Sequence, residues 1–310
     1  MSALIRLADW TVPEDEIDHL NHMSTVFYAQ RSDRGLHNLL DQLGAGPEAL
    51  AATGLVPVVV DRHTLFRREQ LVGSRLVLDG AVTAVGRKRL EVYAQMAHAG
   101  TGELAAMFRL GVELQDRVTR APAAIPAAWA AEAEARRIEP PPRSGPRSLP
   151  LGALGAELTL EDFVRAGIAS HLRREITPDL CDADGIWTPP RPRKWTGPGN
   201  SGSQGVMDQI WGGVPGFVWP ALEMRILTLG PVRRGDVLDS YTALYSVGHK
   251  VMQSGIWVFE AASRRLVQVI HQVNIFFNFE TRRPQDMPHE VRARLEGLMN
   301  LELLRGRECV

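Results

Sequence analysis

The chain has 310 residues, 45% of them hydrophobic and 23% charged, with a formal net charge of -1. That balance is ordinary for a soluble globular protein and offers no global field to draw in nucleic acid. Two cysteines, Cys181 and Cys309, are too few for a disulfide framework and fit a reduced compartment. No apolar run approaches the ~18 residues of a membrane span, and nothing before Asp9 reads as a secretory signal, so the expectation is a cytoplasmic protein.

Length sets a prior of two domains of about 150 residues. In chain order, Leu36, Leu39, Leu40 and Leu43 recur at helical spacing, with Ser24 or Thr25 as the cap and Gly44 as the stop. Strands are predicted over 55–67, 75–85, 90–96 and 104–114. In the last of these, Leu104, Ala106, Phe108, Leu110, Val112 and Leu114 keep a period of two. A helix over 126–137 follows, then a proline-rich linker from Glu139 to Pro150, with the boundary near residue 145. A shorter helix, 204–213, precedes strands at 216–228, 237–247, 251–260 and 265–279, and an amphipathic helix spans 288–304.

These elements repeat. Gly73 leads to Gly86 as Gly235 leads to Gly248, and Pro122 and Pro126 fall on Pro284 and Pro288, all at an offset of 162 residues, the distance from Gly86 to Gly248. A shared offset over such a length means two copies of one unit. A helix followed by an alternating strand meander argues an α+β unit, an antiparallel sheet wrapped around one long helix. The predicted organisation is a first domain over 1–140, a linker over 141–157 and a second, partly degenerate domain over 158–310. Pairing of the two sheets edge to edge would remove two exposed edges.

The stretch from Val12 to Tyr28 carries the chemistry: Asp18-His19-Leu20-Asn21-His22-Met23-Ser24-Thr25 stands just before the helix. It resembles the Asp-x-x-[Gly/Asn]-His-[Met/Val]-[Asn/Ser] signature of hotdog acyl-CoA thioesterases of the 4-hydroxybenzoyl-CoA type. It looks closest to the betainyl-CoA thioesterase-like branch. The block Arg62-His63-Thr64-Leu65-Phe66-Arg67-Arg68-Glu69 is similar to a second stretch of that branch. The resemblance implies a tandem double hotdog that hydrolyses a thioester to a free acid and coenzyme A. Asp18 would act as nucleophile or as base on a water. Asn21, His22 and His63 would support it, and the helix-start amides near Ser24 and Thr25 would form an oxyanion hole. Asn21, in the usual glycine place, tolerates a left-handed turn better than most residues. An aspartate before a helix is also an ordinary cap, and His63 reads equally as a half-buried strand histidine.

The second copy departs from the pattern. Asp182 takes the aspartate place and Gly185 the glycine place, at an offset of 164, but Ile186 replaces the histidine. A long insertion, Thr188 to Ser203, then separates this turn from its helix. Three roles stand open: a second active site, a degenerate half that completes the first, or a plain loop. Asp61 and Glu223, equivalent strand positions, are either second carboxylates or strand-face charges. Arg191, Arg193 and Lys194 could meet the phosphates of coenzyme A, or form a solvated loop. Trp187, Trp195, Trp211 and Trp219 could shape an acyl pocket, cage a quaternary ammonium or pack a core.

The expected partner is an acyl-CoA substrate, with no nucleic acid, no membrane and no metal, and no cofactor beyond the coenzyme A of the substrate. A homo-oligomer, a dimer of double hotdogs, is expected. A hotdog enoyl-CoA hydratase and a non-catalytic acyl-CoA-binding hotdog protein are the rival readings.

Overall fold

The computed structural model describes residues 4–149, 155–188, 212–300 and 303. The chain divides into two compact units, Met1–Pro146 and Arg147–Val310. No described helix is long and apolar enough to cross a membrane.

The first unit begins with β1 (Ile5–Thr11) and a short 3-10 turn at Glu14–Glu16, then α1 (Thr25–Gln42) and α2 (Pro47–Thr53). The strands β2 (Leu55–Phe66), β3 (Arg75–Val85), β4 (Arg89–His98) and β5 (Leu104–Asp116) follow, and α3 (Ala127–Ala135) closes the unit. The sheet runs β1-β3-β4-β5-β2 and is antiparallel throughout. The leucine face of α1 is the one that packs: Tyr28, Leu36, Leu39 and Leu40 are buried against Leu76, Leu78, Val92, Phe108 and Leu110. Each such leucine contributes about 1.5–3 kcal/mol by leaving water. Gly35 sets how close α1 lies to the sheet, since a Cβ there would fall 2.3 Å from a Leu78 methyl. Asn38 also donates to the Leu7 carbonyl at 2.7 Å, which fastens α1 to β1.

The second unit has α4 (Leu160–Arg165), β6 (Leu172–Glu175), a 3-10 turn at Pro178–Leu180, β7 (Phe217–Val218) and β8 (Ala221–Thr228). Then come β9 (Val237–Val247), β10 (Val251–Glu260), β11 (Leu266–Ile275), β12 (Phe277–Asn278), β13 (Arg283–Pro284) and α5 (His289–Glu296). Its main sheet runs β8-β11-β10-β9-β6, antiparallel, and β7, β12 and β13 form a small ribbon. The bounds of β9 are those of β3 displaced by 162, and β10 ends at Glu260 as β4 ends at His98. Left-handed residues keep the same offset: Gly73 and Gly235, Gly102 and Arg264, Arg120 and Arg282.

Several expectations need correction. The helix expected over 288–304 is interrupted: α5 ends at Glu296, Gly297 follows, Met299 pairs with Leu244, the Asn300 amide donates to the Leu244 carbonyl at 2.8 Å, and Leu303 is again helical. The strands β1 and β6 and the helices α2 and α4 were not expected. Of the helix expected at 204–213, residues 204–211 lie outside the described residues, and Gly212 and Gly213 are not helical. The insertion expected from Thr188 to Ser203 lies, after Thr188, outside the described residues.

Candidate functional site

The turn that carries Asp18 is closed by its own backbone. The Asp18 amide donates to the His22 carbonyl at 2.9 Å, the Asn21 amide donates to the Asp18 carbonyl at 3.0 Å, and Ile17 pairs with Met23. Asn21 sits at φ 58°, the left-handed conformation its residue type favours. Two further bonds seat this turn on its neighbours: the Met23 amide donates to the Gln70 carbonyl at 2.7 Å, and the Ser24 amide to the Glu16 carbonyl at 2.9 Å.

That last bond corrects the expected oxyanion hole. Ser24 caps α1 in an extended conformation without a side-chain bond, and its amide is already engaged by Glu16. Phe27 donates to the Ser24 carbonyl at 2.9 Å. The amides of Thr25 and Val26, the first two helical positions, are those the helix start leaves without intrahelical acceptors.

The Asp18 carboxylate is about one quarter exposed, at 24%, and its Oδ1 accepts the Leu20 amide at 2.9 Å. His22 Nε2 lies 4.0 Å from that same oxygen, while its Nδ1 lies 3.1 Å from the Met23 carbonyl. A carbonyl only accepts, so Nδ1 donates there and Nε2 is the ring nitrogen turned toward Asp18. Nε2 is buried and makes no hydrogen bond among the described residues. A carboxylate and an adjacent ring nitrogen, both with spare capacity, can take and return a proton.

Tyr28, one turn into α1, belongs to this neighbourhood and was not singled out from the sequence. Its hydroxyl approaches the Arg68 carbonyl at 3.5 Å, and its ring meets Phe66 edge to face at 5.4 Å. Burial, then the charges of Glu69 and Asp18, raise its phenol well above the ordinary range, so it stays protonated. Its position four residues after Ser24, on the buried stripe of the helix, was the available signal.

The other expected residues are not brought to Asp18. Arg62 reaches the Ala29 carbonyl, Ser32 and Asp33 on α1, and Phe66 meets Tyr28, so His63 and Leu65 face the other side of the sheet by alternation. His63 is fully buried there, at 2% exposure, rather than half-buried. Asp61 meets the Arg89 guanidinium at 3.3 Å. Glu223 is buried and accepts three successive amides, Arg147 at 3.0 Å, Ser148 at 2.8 Å and Leu149 at 3.3 Å. Trp187 packs with Leu180 and Leu238, and Trp219 packs in a separate cluster with Phe276 and Met287, so these two rings form no common cage. Arg191, Arg193, Lys194, Trp195 and Trp211 lie outside the described residues.

In the second unit the equivalent turn has the same backbone. The Asp182 amide donates to the Ile186 carbonyl at 2.8 Å, the Gly185 amide to the Asp182 carbonyl at 3.1 Å, and Cys181 pairs with Trp187. Gly185 is left-handed at φ 72°. Asp182 Oδ1 accepts two amides, Asp184 and Ile186, each at 2.9 Å. Among the described residues, no group of three His, Cys, Asp or Glu is arranged to hold a metal ion.

The profile of the thioesterase-like superfamily matches residues 12–133, which hold the Asp18 turn, α1 and strands β2 to β5. No curated protein matches the sequence. Among solved structures, the 12:0-ACP thioesterase from Umbellularia californica is similar over 88% of this chain and 94% of its own, at 12% identity and a TM-score of 0.62. An acyl-ACP thioesterase from Bacteroides thetaiotaomicron is similar over 87% of this chain and 96% of its own, at 11% identity and a TM-score of 0.61. At such identities the likeness shows the fold, a hotdog-like α+β arrangement with antiparallel sheets.

Proposed function

We infer that the chain is a thioester hydrolase: a tandem double-hotdog acyl-CoA thioesterase whose working carboxylate is Asp18. The observation that carries this reading is the Asp18–His22 pair, 4.0 Å apart in a turn stapled to the start of α1, inside the segment that matches the thioesterase-like superfamily. The amides of Thr25 and Val26 serve as oxyanion donors for the thioester carbonyl. One such donor is worth about 3 kcal/mol in rate.

Asp18 either attacks the acyl carbon directly or takes a proton from the attacking water, with His22 Nε2 within reach to share it. With water as nucleophile, its oxygen bonds to the acyl carbon, the C–S bond breaks, and the water's proton passes to the departing thiolate. With Asp18 as nucleophile, the acyl–Asp18 anhydride that replaces the C–S bond is then cleaved by water, which frees the acid, restores the carboxylate and supplies the thiol proton. Asp182 supports the fold of its own turn and has no catalytic part.

The carrier of the acyl group has a second reading. The two similar structures that span nearly the whole chain are thioesterases of acyl-ACP, by their own descriptions. Thiol release measured with matched acyl groups on coenzyme A and on acyl carrier protein decides between carriers. D18N is expected to lose turnover on whichever carrier the native chain prefers. Unchanged turnover in D18N removes the assigned role, and hydration of crotonyl-CoA without thiol release replaces hydrolysis with a hydratase.

A further inference from the structure

We propose that the buried Glu16–Arg31 ion pair is a positioning device that clamps the Asp18 turn to α1. This rests on the reading of Asp18 as the working carboxylate. Glu16 ends the 3-10 turn two residues before Asp18 and is only 4% exposed, although it stands in the acidic run Glu14-Asp15-Glu16. Its side chain pairs with Arg31, which lies in the second turn of α1. Its backbone carbonyl holds the Ser24 amide at 2.9 Å, at the cap of the same helix. One residue therefore grips α1 at two points, through its main chain at the cap and through its carboxylate at Arg31. The Asp18 turn is the loop of chain between those grips. Arg31 is fixed in turn by β1, its guanidinium lying 5.0 Å over the Trp10 ring.

Two observations separate positioning from stability. First, the pair is a poor stabiliser: Glu16 Oε2 is buried without a hydrogen bond among the described residues, and a half-satisfied buried carboxylate costs more than it returns. Second, the turn of the second unit closes with the same backbone bonds although Leu180 stands in the Glu16 place, at the turn's offset of 164, fully buried. The Thr188 amide there donates to the Leu180 carbonyl at 3.2 Å, the counterpart of Ser24 to Glu16. An apolar side chain thus suffices to make the turn. What the ion pair adds is a fixed distance between the carboxylate of the turn and the first amides of the helix. Reacting groups lose rate steeply when misplaced by about 1 Å.

The test compares E16L, which copies the second unit, with E16Q, which keeps an acceptor for Arg31, and with R31M as an independent break of the same pair. Steady-state thiol release and thermal unfolding are measured on each, with D18N alongside. E16L and R31M are expected to lower kcat by about ten- to hundredfold while KM stays within about threefold, and E16Q to stay within about threefold of the native kcat. If E16L unfolds, R31M and E16Q carry the comparison. Native kcat in a folded E16L or R31M overturns the proposal, and so does a loss in E16Q equal to that of R31M. Full activity in D18N would instead overturn the reading of Asp18, an outcome distinct from either.

Discussion

Two turns of one backbone design hold their carboxylates in different surroundings. At 14–24 and at 178–188 the chain makes a 3-10 turn, a left-handed residue and a return pairing with matching hydrogen bonds. In the first, Asp18 accepts one amide and faces His22. In the second, Asp182 accepts two amides, and the histidine place is held by buried Ile186. Met23 and Trp187, also equivalent, are both buried, but the larger ring anchors a core cluster of its own with Ile176 and Val232. Both amides fall on Oδ1 of Asp182, which ties that oxygen to its own turn. The same residue type at the same place faces a histidine in one unit and two amides of its own turn in the other, and the neighbours decide which.

The largest expected break of this contrast is at the carboxylates. D18N should cut thiol release by about 10²- to 10⁴-fold, the range for removing an acid–base group, while D182N should leave it within about twofold. Equal losses in both variants would mean that two sites work. Next in size is stability: W187A should cost about 3–5 kcal/mol in denaturant unfolding, as a large core ring does. A smaller effect is expected at the left-handed residues. G185A should lose about 1 kcal/mol or somewhat more, read as a lowered unfolding midpoint, whereas N21G should change stability by only a few tenths.

Of a different kind is a pH dependence that arises in the second unit. His171 on the flank of β6, 3.2 Å from the Thr242 hydroxyl, stands where the first unit has Leu7 beside Gly80. Loss of solvent holds its ring down at about 4, against an ordinary 6.5. Between those values the unfolded chain binds a proton that the folded chain refuses, so stability is full above 6.5 and falls as pH drops toward 4. H171L should flatten that slope in equilibrium unfolding measured across the window.

Much of this organisation was legible in the residues. The period of two from Leu104 to Leu114 is strong because Ala106, Phe108, Leu110, Val112 and Leu114 pack in one core with α1, and Asn21 announced a left-handed turn because few other residues enter it cheaply. What escaped depends on partners far along the chain. Nothing in Glu14-Asp15-Glu16 marks the third carboxylate as buried, since its partner Arg31 comes from the helix. Glu223 stood open between a second carboxylate and a strand-face charge because its three acceptor bonds go to residues 147–149. His63 was placed by resemblance, although alternation from Phe66 would have turned it away from α1. The strand β6, Leu172-Arg173-Arg174-Glu175, is too short and too charged to show a period.

The Glu223 clasp has a practical consequence for dissecting the molecule. Its carboxylate is neutralised by amides that begin at Arg147, so the opening residues of the second unit are bound to that unit's own sheet. A fragment begun at residue 140 would carry its clasp intact, whereas one begun at 155 would lose these three bonds to a buried carboxylate and should unfold at a lower midpoint.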